Sequence, residues 1–66
     1  MNVEMMLELI STIERLLSAK CDLDDTSEYQ AIIDIMLDAI ICTYRRNDWS
    51  SLEAVLNDAN SIIESL

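Results

Sequence analysis

Neither glycine nor proline occurs anywhere in the 66 residues. Glycine supplies the positive-φ corners of tight turns and proline stops helices, so a chain without either has few ways to interrupt a helix once it starts. Any turn must then be built from Asn, Asp and Ser, whose short side chains compete with the helix for backbone hydrogen bonds. Long helices with short polar joints are the expected outcome.

Apolar spacing places three of them. Val3, Met6, Ile10, Ile13 and Leu17 step alternately by three and four, the spacing of a single helical stripe, and Leu7, Leu9 and Leu16 widen it. This predicts a first helix over about 2–19. Lys20 to Asp25 breaks the pattern, and Asp25 stands three residues before Glu28, the spacing of a capping box, which starts a second helix near 26 and carries it to about 46. That second helix has the widest apolar arc, from Tyr29 through Ile33, Met36, Leu37, Ile40 and Ile41 to Tyr44, so it is expected at the centre of the fold, covered on two sides. Asn47 and Asp48 tolerate left-handed backbone and can turn the chain. Ser50 with Glu53 forms a second capping box, and Leu52, Val55, Leu56, Ala59, Ile62 and Ile63 carry a third helix over about 50–65, with Asn60 on its wet side.

Short joints make neighbouring helices antiparallel, so the expected fold is all-α: a small antiparallel three-helix bundle forming a single helical domain over 1–66. A chain this short buries only a marginal core by itself, and 52% apolar composition leaves material for a second copy to complete the burial by dimerisation. Met1, Met5 and Met6, with Leu9 and Leu16, give the first helix more apolar surface than one partner helix needs, either for a homodimer or for a face that fills a groove on another protein.

Composition also excludes function classes. Thirteen acidic residues against four basic ones leave a formal charge of −9, which repels phosphate backbones and anionic lipid headgroups, so neither direct nucleic-acid binding nor membrane binding is expected. The same charge attracts basic surfaces, although it also serves simply to keep an apolar-rich chain in solution. With no histidine the commonest general base and zinc ligand are missing, and Cys21 and Cys42 cannot complete a tetrahedral metal site alone. Two cysteines do not make the disulfide framework of a small secreted domain; together with the lack of a basic leader or an apolar run of about 18 residues, they favour a reducing cytoplasm. Cys42, beside the apolar arc, is expected buried or half-buried and inert, and Cys21 exposed in the loop.

The chemistry-bearing clusters are acidic. Asp22, Asp24, Asp25 and Glu28 suggest a calcium loop, but Ser27 and Ile33 stand where such a loop needs glycine and glutamate, and a solvated acidic turn explains them better. Asp34 and Asp38 lie one turn apart on the polar face of the second helix, as a solvated stripe or a contact for a basic partner. Trp49 opens the third helix and serves either as a staple over the turn, against Tyr44, or as a binding anchor. No nucleophile and base, phosphate loop or metal constellation is present, so the chain is expected to be no enzyme and to carry no cofactor.

Two resemblances add to this. The stretch from Tyr44 to Ala59 resembles the turn and second helix of a tetratricopeptide repeat through Asn47, Asp48, Trp49 and Ala59; it departs at Leu52, covers one hairpin, and implies only a helical turn, since one repeat cannot stack. The profile of a short, acidic, all-helical chain without catalytic motifs resembles the small inhibitor proteins of phages and mobile elements, including anti-restriction and anti-CRISPR proteins, which act as nucleic-acid mimics by presenting carboxylates in place of phosphates. That resemblance implies a non-enzymatic regulator that occupies the basic nucleic-acid-binding surface of a larger protein. Its protein-binding residues would be Asp22, Asp24, Asp25, Glu28, Asp34 and Asp38 for steering and Met5, Leu9 and Trp49 for affinity. The alternative is a helical structural or chaperone-like module, acting as a homodimer or as the small subunit of a helical assembly.

Overall fold

A computed structural model describes residues 2–66; Met1, and its expected share of the first helix's apolar surface, lies outside them. Among the described residues the chain forms three α-helices and no strand: α1 (Val3–Asp22), α2 (Glu28–Arg45) and α3 (Trp49–Ser65). They pack as an up-down-up bundle about 36 Å long and 16–18 Å across. The expected all-α three-helix architecture is therefore what forms.

The boundaries shift where side chains cap the ends. α1 runs three residues past its expected end because Gln30, on α2, donates its side-chain amide to the carbonyls of Lys20 (2.9 Å) and Leu23 (3.2 Å), satisfying acceptors that a helix C-terminus leaves open. α2 starts at Glu28, with Ser27 as its cap accepting from the Tyr29 amide at 3.2 Å, so the Asp25–Glu28 capping box does not form. α3 starts one residue early, at Trp49, since Asp48 takes the cap and its Oδ1 accepts from the Ser51 amide at 3.3 Å; Ser50 is then inside the helix. Asn47 turns the chain at φ 57°, the left-handed conformation expected of it.

The core consists of Leu9 and Leu16 from α1, Ile33 and Ile40 from α2, and Leu52, Leu56 and Ala59 from α3. All three of the α3 residues are fully buried, and α3 makes the larger contacts with both neighbours. The central helix is thus α3 and not α2, whose arc is too wide for its two partners and leaves Tyr29, Ile35, Ile41 and Tyr44 exposed.

The face that α1 turns inward is also not the expected one. Two apolar series interleave along it, 3-6-10-13-17 and 5-9-12-16-19, and both have helical period. The second is the buried one: Leu9, Thr12 and Leu16 are buried, with Met5 and Ala19 packed beside them. Thr12 gives that series a polar member and so hides it from a count of apolar residues. The hydroxyl is accommodated because Asn60 on α3 donates to it at 3.1 Å, which also takes Asn60 off the wet side and into the α1–α3 contact.

Candidate interaction surface

The first series consequently faces solvent. Val3 and Leu7 are 73% and 62% exposed, Met6, Ile10 and Leu17 about half exposed, and only Ile13 is half-buried. At 100° per residue the 3-6-10-13-17 series lies toward the α2 side of α1, away from Thr12 and Arg15, which turn toward Asn60 of α3, while Leu7 faces outward about 160° from Leu9. Ile41 and Tyr44 continue the apolar surface onto α2. Between the two helices lies a cleft of about 240 Å³ lined by Leu9, Ile13, Ile40, Ile41, Tyr44 and Arg45. Six substantially exposed apolar side chains on this face, Val3, Met6, Ile10, Leu17, Ile41 and Tyr44, present on the order of 500 Å² of apolar surface, at the upper end for a stable monomer.

Of the residues singled out for binding, Asp22, Asp24, Asp25 and Glu28 gather at the α1–α2 turn, all exposed. Asp34 and Asp38 are exposed on the outer flank of α2, and Asp34 forms an ion pair with Lys20 of α1. The turn cluster and the α2 flank therefore meet the apolar face at one end and along one edge. The apolar members of the set are elsewhere. Leu9 is 8% exposed and belongs to the core, with only its edge at the cleft, and Met5 is half-buried against that core, because both lie on the buried series of α1. Trp49 is half-buried with its ring edge-on to Tyr44, centroids 6.0 Å apart at 62°, which is the geometry of a staple over the α2–α3 turn. The surface that replaces them is Met6, Ile10, Leu17, Ile41 and Tyr44, of which the sequence marks only Met6 as surplus apolar surface; the choice between the two series on α1 conceals the rest.

Arg45 is the one charged residue lining the cleft. Among the described residues no three His, Cys, Asp or Glu side chains converge as metal ligands would, and no helix is long and apolar enough to cross a membrane. Asp48 is held below the usual aspartate range, by the side chain of Ser51 first and its backbone amide second, against opposing desolvation and with added attraction from Arg46; its role is that of the α3 N-cap. Cys42 is exposed, contrary to expectation, because it lies on the outer side of α2; Cys21 is exposed as expected, but in the last turn of α1 and not in the loop, since α1 extends to Asp22. Comparison with protein-family models, with curated proteins and with solved structures gives no match.

Proposed function

We propose that the chain is a non-catalytic, cytoplasmic regulator that binds a larger protein and covers a basic surface built to hold nucleic acid. The observation that carries this reading is the pairing of an exposed apolar face on α1 and α2 with an acidic turn and flank, in a chain of charge −9. The carboxylates of Asp22, Asp24, Asp25 and Glu28 steer encounter with a basic surface, and burial of the apolar face supplies affinity. The absence of convergent polar groups in the cleft supports binding over catalysis. The alternative module that pairs with its own copy has the same apolar face in its favour and its own charge against it.

The test is capture of partners on the tagged chain with elution in rising salt, followed by measurement of nucleic acid retained by the captured protein. Release at moderate salt, with the partner's nucleic-acid binding lost in the complex and restored when Asp22, Asp24, Asp25 and Glu28 are changed to their amides, is the expected result. Inhibition that survives those four changes removes the electrostatic mechanism, and a partner that handles no nucleic acid removes the assignment.

A further inference from the structure

A pair of packed helices presents a groove on each side. α3 fills one groove of the α1–α2 pair, held by Asn60 to Thr12 and Arg15 and by the burial of Leu52, Leu56 and Ala59. The other groove is open along Val3 to Leu17 of α1, about 21 Å at 1.5 Å per residue, and deepens at its middle into the cleft beside Ile41 and Tyr44.

We propose that this open groove seats a single amphipathic helix of the partner protein, its apolar ridge in the cleft and its flanks carrying Lys and Arg. The inference rests on the regulator reading above and names the element that is recognised. Shape argues for a helix: ridges at three- and four-residue spacing on α1 and α2 accept the same spacing from a third helix, as they already do from α3. Length argues for about four turns, the extent of the exposed stripe.

Charge argues for basic flanks and against a second copy of this chain. Glu14 follows Ile10 by four residues and precedes Leu17 by three, so it borders the stripe on α1; Asp38 precedes Ile41 by three and borders it on α2. Both are exposed. Asp34 extends the α2 rim but already holds Lys20, which leaves Arg45, at one end of the cleft, as the basic group nearest to it. A second copy would bring a second Glu14 and Asp38 to rims that are already acidic, whereas Lys and Arg on an incoming helix meet them with opposite sign.

The experiment uses three synthetic 18-residue helical peptides: one with a Leu ridge and Lys flanks, one with the same ridge and Glu flanks, and one with Lys flanks and no ridge. Trp49 emission reads binding, since its ring touches Tyr44 at the cleft wall. The first peptide is expected to bind at least tenfold more tightly than either of the others. Ile10→Asp and Ile41→Asp should each weaken it at least tenfold with helical content unchanged, and Met6→Asp substitutes for either if its circular dichroism shows unfolding. Glu14→Lys with Asp38→Lys should transfer the preference to the Glu-flanked peptide.

Equal binding of the ridgeless peptide overturns the groove, and equal binding of the Glu-flanked one overturns the basic helix. A dimer of the protein alone in sedimentation, dissolved by Ile10→Asp, overturns the proposal in favour of a second copy. Capture of the nucleic-acid-handling partner that is indifferent to Ile10→Asp and Ile41→Asp overturns the groove while leaving the regulator reading intact; the loss of any such partner from the unmodified chain ends the regulator reading itself.

Discussion

Asn60 of α3 donates its side-chain amide to the hydroxyl of Thr12 on α1 at 3.1 Å, and shares that amide with the Leu56 carbonyl of its own helix at 3.0 Å. Its carbonyl oxygen accepts from Arg15, so one side chain ties α1 to α3 at two points a turn apart. Thr12 is 1% exposed, and no buried side-chain polar atom among the described residues lacks a partner. A buried hydroxyl of this kind contributes little net energy when bonded and costs more when its partner is removed.

Asn60→Ala should therefore lower stability by about 1–2 kcal/mol, and Thr12→Val with Asn60→Leu should recover much of the loss. Urea denaturation of Thr12→Val, Asn60→Leu and the double that combines them gives the coupling. Strict additivity would show that the Asn60–Thr12 contact does not hold α1 to α3.

Two adjacent leucines test which face of α1 is internal. Leu16 is fully buried and Leu17 is 48% exposed. Leu16→Ala is expected to cost about 2–5 kcal/mol, whereas Leu17→Ala should change stability by no more than about 0.5 kcal/mol. The reverse order in thermal or urea melts would place the 3-6-10-13-17 series in the core and remove the exposed face.

The Asp48 cap gives a pH dependence of known sign. Its carboxyl is depressed in the folded chain, so the stabilisation it adds is fully present above the ordinary aspartate range and is lost as pH falls through the lowered value. Asp48→Asn keeps an acceptor for the Ser51 amide but does not titrate. The stability advantage of the unmodified chain over Asp48→Asn should shrink steadily on acidification and be flat from pH 6 to 8; an advantage that grows on acidification contradicts the assignment.

Both cysteines are exposed, Cys21 at the last turn of α1 and Cys42 on the outer side of α2. A thiol reagent such as dithionitrobenzoate should titrate two equivalents in the folded protein without denaturant. If only one reacts until urea is added, Cys42 is covered and the outer side of α2 is not free.

How much of this was readable beforehand depends on whether a feature is local. The absence of glycine and proline, with apolar steps of three and four, determines that the chain makes three helices and turns at Asn47, because each of those depends on a few consecutive residues. Caps were half legible: Ser27 and Asp48 outcompeted Asp25 and Ser50 because a cap is chosen by where the backbone leaves the helix, which tertiary packing sets. The choice between the two series on α1 was not legible at all. Period identifies a stripe but cannot say whether it meets a neighbour, and here Asn60, 48 residues further along the chain, makes the Thr12 series the one that can be buried. Once that face turns inward, the rigid geometry of the helix brings Met6, Ile10 and Leu17 out beside Ile41 and Tyr44, so the exposed surface is a consequence of tertiary packing and not of any motif.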